Sequence, residues 1–192
     1  MDQLLSFLAG IAPFDSELHD SLSKNLERIT CDAGDCLLKE GEVSRHISFI
    51  ESGLVRSCHL LDGKEVTTWF NKEMDFFYNV NSFSTQQPSR QIIYALEPCV
   101  IWRISYDKFK CLCDQFPVMH KLRADIIEKY YGVMLEMINV MRMKKPEEIY
   151  AYMMENKPEL LSRVPVKYVW SFMNVKVTTF KRIKNSYSKR KK

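Results

Sequence analysis

Hydrophobic and polar positions alternate through the first half of the chain and then change to steps of three and four. From about Glu27 to Phe109, short apolar runs (Cys36-Leu37-Leu38, Ile47-Ser48-Phe49-Ile50 and Leu54-Val55-Arg56-Ser57-Cys58) are separated by polar turn signals. A two-residue period is that of strands with one face buried. The interruptions are Ala33-Gly34-Asp35, Glu40-Gly41-Glu42, Glu51-Ser52-Gly53 and Asp62-Gly63-Lys64. Asp-Gly between two alternating segments predicts a tight hairpin, because the primed turn requires positive φ. Two later strands are predicted at Gln91–Ala95 and Cys99–Ser105, with Glu97-Pro98 turning between them. Short strands at near-regular spacing fit a small barrel or sandwich better than a sheet with crossover helices. The opening MDQLLSFLAGIAPF is amphipathic and reads as a packing helix.

From Val118 to Met143 the pattern is that of one long helix. Met119, Leu122, Ile126, Tyr130, Val133, Met137 and Val140 keep the spacing of a coiled-coil seam, with Ile127, Tyr131, Met134, Ile138 and Met141 as a second stripe beside it. One stripe can pack on the barrel, and two suggest a second partner. The seam predicts a parallel homodimer with Leu122, Ile126, Tyr130, Val133, Met137 and Val140 at its interface. The alternative is a helix buried on two sides within a monomer. Pro146 stops this helix and opens another, and Pro158 interrupts that one in turn. The stretch from Val164 to Asn185 then reads as two short helices about a tight turn. Val166, Val169 and Phe172 space one apolar face, and Phe180 and Ile183 another. Asn174 between them tolerates the left-handed backbone that a helix-turn-helix corner demands. The expected division is therefore residues 1–117, 118–145 and 146–192.

Composition narrows the function. With 192 residues and 46% hydrophobic content there is ample material for a packed core. There is no apolar run of bilayer-spanning length and no secretory leader, so a cytoplasmic protein without membrane contact is expected. Cysteines 31, 36, 58, 99, 111 and 113 show no paired metal-ligand spacing, so no metal site is expected and reduced thiols are the default. Cys111 and Cys113 raise a redox switch as the alternative to cysteines acting as small apolar residues. Net charge is +4, but from Lys176 to Lys192 all charged residues are basic. Thr178, Thr179, Lys181, Arg182 and Lys184 crowd the last helix, followed by Lys189, Arg190, Lys191 and Lys192. Hydroxyls and cations on one short helix suit the major groove of double-stranded DNA, whereas the plainer alternative is a helical hairpin with a solvated cationic face. No Ser/His/Asp, Cys/His or paired-carboxylate constellation and no phosphate-cradling glycine loop is visible, so no catalytic residues are assigned and an enzyme is not expected.

The segment GDCLLKEGEVSRHISFIESGLVRSCHLLDGKEVTTWFNKEMDFF carries glycine corners at Gly34, Gly41, Gly53 and Gly63 and is followed by ISYDKF (Ile104 to Phe109). In this order it resembles the barrel of the catabolite-activator/Fnr (Crp/Fnr) superfamily of bacterial transcription regulators. The resemblance covers nearly the whole chain, and the PELLSRVPVKY connection is similar to the version common in Bacteroidetes-type bacteria. It implies an α+β fold: an N-terminal double-stranded β-helix or jelly-roll barrel of the cyclic-nucleotide-binding type, a dimerisation helix and a winged-helix-like helix-turn-helix domain. It also implies a homodimeric regulator whose barrel senses an unidentified small-molecule effector or none.

In the nucleotide-binding members, a cassette after the Asp-Phe step supplies Gly-Glu for the ribose and an Arg with Ser or Thr for the cyclic phosphate. Here Tyr78 stands where Gly is expected and Asn79 where Glu is expected, with Ser89-Arg90 in reversed order downstream. Tyr78, Asn79, Ser89 and Arg90 are thus the implied ligand positions, and cAMP is not the expected effector. The clustered N-terminal cysteines of the iron–sulfur branch are missing, and His19, His46, His59 and His120 are scattered, so no cofactor is expected. By the same resemblance, Thr178, Thr179 and Arg182 fall at base-edge and phosphate contacts of the recognition helix. Arg182 is the candidate for a bidentate guanine contact, and Thr179, Lys181 and Lys184 for phosphate. Trp170 replaces a small residue and Lys176 a Ser/Thr N-cap, which keeps open a degenerate ligand-binding or protein-interaction module without sequence-specific DNA binding.

Overall fold

The computed structural model describes residues 1–190, so the basic positions Lys191 and Lys192 lie outside the described residues. Helices α1 (Asp2–Ile11) and α2 (Ser16–Asn25) precede strands β1 (Glu27–Cys31), β2 (Cys36–Leu38), β3 (His46–Ser52), β4 (Val55–Leu61), β5 (Lys64–Asn71) and β6 (Phe76–Phe77). The short helix α3 (Val80–Thr85) leads into β7 (Gln91–Ala95) and β8 (Cys99–Ser105), and α4 (Tyr106–Gln115) leads into the long α5 (Val118–Met143). Then come α6 (Pro146–Asn156), α7 (Pro158–Arg163), α8 (Val166–Phe172) and α9 (Val177–Arg190).

The strands form two antiparallel sheets, ordered β1-β8-β3-β6 and β2-β7-β4-β5. Their facing sides enclose Leu38, Ile50, Val55, Phe77, Ile93, Ala95, Cys99 and Ile101. The alternation explains why β8 is apolar on both faces. Cys99 and Ile101 point into the barrel, while Ile104 and the partly buried Trp102 meet Leu4, Leu8, Leu18 and Leu22 of α1 and α2 outside it. The amphipathic opening segment is therefore the outer cover of this sheet. At the β4–β5 hairpin, Asp62 has φ 50° and Gly63 φ 72°, the double positive φ that the Asp-Gly pair predicts. Gly53 is fixed for a different reason. Its φ is 106°, and an added Cβ would stand 2.4 Å from Cys99 Sγ and 2.8 Å from the Pro98 carbonyl oxygen.

The β-rich reading ran to Phe109, but the chain turns helical at Tyr106, where the Ser105 hydroxyl accepts a hydrogen bond from the Lys108 N–H at 3.4 Å. From Pro146 onward the described residues form four helices joined by short turns, with no strand among them, so no hairpin wing occurs there.

Along the long helix most of the seam stripe faces the chain itself. Met119 and Leu122 are buried in the cluster beneath α1, α2 and α4, with Ile126 partly buried against it. Val140 is buried with the C-terminal helices, and Met137 is buried on the same side. The Tyr130 hydroxyl accepts from the Phe76 N–H at 2.8 Å and donates to Asp75 Oδ1 at 3.2 Å. Leu122, Met137 and Val140 are therefore enclosed within one chain, and of the six residues assigned to a dimer interface only Val133 is exposed. Steps of three and four describe any helix lying along a surface, and here that surface is the chain's own barrel and C-terminal helices. The second stripe is the uncovered one, with Tyr131 55%, Met134 44% and Ile138 41% exposed.

Candidate DNA-reading helices and sensor cavity

Helices α8 and α9 meet at a turn in which Asn174 has φ 52°, the left-handed corner read from the sequence. Beneath α9, Phe180 and Ile183 are buried with Tyr150 and Met153 of α6, and the Tyr150 ring meets Phe180 edge-on at 5.5 Å. This anchors one side of the helix and turns the other outward. Thr178, Lys181, Arg182 and Lys184 are exposed, and Thr179 is half-buried. The structure thus brings all five candidate contacts onto one short helix with its cations in solvent. Arg182 Nη2 lies 3.4 Å from Glu147 Oε1, both side chains being well exposed, an ion pair of little energetic weight. Trp170 is half-buried against the C-terminal cluster. Lys176 is exposed, and its carbonyl accepts the Phe180 N–H at 3.0 Å, which starts the helix without a side-chain cap on that donor.

The other side of this unit is docked on the barrel. The Ser171 hydroxyl accepts the N–H of Thr67 on β5 at 3.0 Å. The Arg56 guanidinium, in a residue only 1% exposed, lies 3.9 Å from the centre of the Tyr168 ring. It also donates to Thr67 Oγ1 at 2.9 Å and Glu65 Oε2 at 2.7 Å. Phe172 packs against Phe70 and Trp69. On α7, Arg163 holds Glu73 at 2.7 and 2.8 Å and Glu97 at 2.6 and 3.1 Å, so one guanidinium ties two barrel turns to the C-terminal helices. The sequence reading missed this junction. The one available signal was Arg56 itself, a cation in the middle of the apolar run Leu54–Cys58.

Between the sheets lies a cavity of about 500 Å³, with an apolar wall of Ile29, Leu38, Phe77, Ile93 and Ile101 and a polar rim that includes Ser44, Arg45, His46 and Arg103. Arg103 is held by Glu27 at 2.9 and 3.1 Å, and this pairing lowers the Glu27 pKa. Burial first, then the charge of Arg103, pushes the His46 pKa below its ordinary value, which favours neutral imidazole at the rim. Of the four implied ligand residues, only Tyr78 lines the cavity. Its ring meets Phe83 edge-on at 5.3 Å and also borders a smaller apolar space of about 70 Å³ beneath α1 and α5. Asn79 is committed to the backbone, accepting from the Ser82 N–H at 2.8 Å as the N-cap of α3, and it also donates to Gln91 Oε1 at 3.2 Å. The Ser89 hydroxyl accepts the Gln91 N–H at 2.9 Å, and Arg90 is exposed outside the cavity lining.

These positions carry an expected result. Neither cAMP nor cGMP should bind at micromolar concentration, because no carboxylate stands at the Asn79 position and Arg90 does not enter the cavity. Isothermal calorimetry checks it, and saturable binding that is lost in Arg90→Ala would contradict it.

Residues 28–116 match the family model for the cyclic nucleotide-binding domain. No curated protein sequence matches the chain. Among solved structures, a mutant of CooA from Carboxydothermus hydrogenoformans superposes with a TM-score of 0.69 at 14% identity, covering 95% of this chain and 83% of that one. The Thermus thermophilus catabolite activator protein gives 0.56 at 14% identity, covering 96% and 87%. The regulatory domain of Toxoplasma gondii PKA, solved with cAMP, gives 0.52 at 19% identity over 58% of this chain, which spans only 43% of that one. The fold is therefore a cyclic-nucleotide-binding-type barrel followed by a long helix and a helix-turn-helix unit. Residues 28–116 are thus similar to the cyclic nucleotide-binding domain, and the chain as a whole shares the fold of these solved structures.

Proposed function

We propose that this protein is a transcription regulator that binds double-stranded DNA as a homodimer and reads it with α9. In this reading residues 1–117 are the sensor, 118–145 pair two copies, and 146–192 contact DNA. The observation that carries it is the exposed Thr178-Lys181-Arg182-Lys184 surface on the second helix of a unit whose turn has the left-handed Asn174 corner. Pairing is assigned to the uncovered stripe Ile127, Tyr131, Met134 and Ile138, because the inner stripe is engaged within the chain. The effector is a small molecule other than a cyclic nucleotide, seated in the cavity rimmed by Ser44, Arg45 and Arg103. Among the described residues no helix is long and apolar enough to cross a membrane, which is compatible with a regulator that meets DNA in the cytoplasm.

Selection of fragments from random duplex DNA by the purified protein tests this reading. An enriched palindromic motif and an affinity falling steeply with salt are expected. Arg182→Ala should lose about 1–3 kcal/mol of preference for that motif, while truncation after Tyr187 should weaken all duplexes alike and flatten the salt slope. An unchanged motif in Arg182→Ala would reject α9 as the reading helix. Affinity without a motif would leave the interaction-module alternative.

A further inference from the structure

Cys31 ends β1 directly opposite Cys99, the first residue of β8, as the last pair of their antiparallel ladder. Opposed residues in such a ladder have Cα atoms about 4.5–5.5 Å apart, within the span a disulfide bridges. The two side chains also face each other closely enough for their thiols to share a hydrogen bond. Cys111 and Cys113 form no such pair. Two apart on α4, they point to different sides, one exposed and the other buried.

What surrounds Cys99 gives the pair its significance. Its Sγ is placed to donate to the carbonyl of Glu97 at 3.1 Å and that of Leu54 at 3.7 Å, and it lies against Gly53. The Gly53 N–H donates to Glu73 Oε1 at 2.9 Å. Glu73 and Glu97 are the two carboxylates that hold Arg163 of α7. The thiol pair therefore sits directly behind the junction between barrel and C-terminal helices.

We propose that Cys31 and Cys99 close a reversible cross-strand disulfide when the protein meets a hydroperoxide, and that closure loosens the Arg163 clamp. Cys31 is half-buried and admits the oxidant, whereas Cys99 is buried and acts second. The Cys31 sulfur attacks the peroxide O–O bond and becomes a sulfenic acid as the other oxygen leaves, with the thiol proton, as an alcohol, or as water from hydrogen peroxide. The Cys99 sulfur then displaces the sulfenic oxygen, its proton leaving with that oxygen as water. Two thiols are oxidised and one hydroperoxide is reduced; where it is hydrogen peroxide, both oxygens end as water. A disulfide sulfur has no hydrogen, so Cys99 can no longer donate to Glu97 or Leu54. Burial raises the pKa of both thiols, that of Cys99 to about 12, so the pair responds slowly to sustained oxidant and is not a rapid sensor.

The full chain treated with hydrogen peroxide should yield a Cys31–Cys99 linked peptide, lighter by two hydrogens and restored by dithiothreitol. Amide exchange across α7 and α8 should quicken by about fivefold on oxidation. Cys31→Ser and, as a second variant, Cys99→Ala should lose both changes. Cys31 oxidised to sulfinic acid with Cys99 still a free thiol, or the absence of a linked peptide, would overturn the disulfide. A linked peptide with unaltered exchange would overturn its hold on the clamp. Neither measurement depends on DNA binding.

Discussion

Ile138→Glu should abolish the proposed pairing of two chains and lower the affinity for a palindromic duplex by about 100-fold, since two linked heads gain that order of avidity over one. Ile138 lies on the uncovered stripe of α5 with Ile127, Tyr131 and Met134, and the inner stripe is closed off by the chain's own core. A carboxylate there would face its copy across a two-fold axis without disturbing the fold of either chain. The contrasting substitution is Met137→Glu, one residue away but buried, which should cost about 3 kcal/mol of stability in the single chain by placing an unpaired charge in an apolar site. Sedimentation velocity and urea unfolding separate the two effects. If Ile138→Glu stays dimeric while Met137→Glu dissociates without unfolding, the interface uses the inner stripe after all.

Arg163→Ala should lower stability near neutral pH by about 2 kcal/mol and leave the C-terminal helices more open to proteolysis. It removes four charge-assisted hydrogen bonds and leaves Glu73 and Glu97 facing each other unscreened. The effect has a pH signature. The Arg163 hydrogen bonds hold the Glu73 pKa at about 2, against 4.5 for the ordinary carboxyl. A depressed folded-state value stabilises fully above the unfolded value, so this contribution is complete above 4.5 and disappears as pH falls towards 2. With the Glu73 side chain 35% exposed, solvent screening reduces it to on the order of 1–2 kcal/mol. Urea unfolding at about pH 7 and about pH 3 should therefore show a larger acid loss in the parent protein than in Arg163→Ala. Equal losses would mean that the clamp contributes no net stability.

Much of the fold could be read from the chain because its signals are local. The Asp62-Gly63 hairpin, the β7 and β8 limits, the proline-bounded helices and the Asn174 corner each follow from a few adjacent residues. What escaped was set by contacts distant in sequence. The seam of α5 could not be told from a helix lying on its own barrel, because both place apolar residues every three or four positions. Arg56 gave only the hint of a charge in an apolar strand, and its partner Tyr168 is more than a hundred positions further on. Asn79 and Arg90 were legible as departures from a nucleotide cassette, yet that one caps a helix and the other lies outside the cavity belongs to the three-dimensional arrangement. The cavity rim of Ser44, Arg45 and Arg103 carried no motif at all.

The Ser171 hydroxyl on the Thr67 N–H has a consequence for how far the C-terminal helices can travel. β5 is the outermost strand of its sheet, and such a strand presents unpaired backbone groups to any neighbouring chain. While α8 lies along it, part of that border is sealed by a side chain from the same molecule. Swinging α8 away would bare a sticky margin together with the Trp69 and Phe70 rings. Large excursions of the C-terminal helices are thereby tied to a risk of self-association, which favours small rocking displacements over full release and makes the solubility of any unlatched variant a direct gauge of how far its helices have moved.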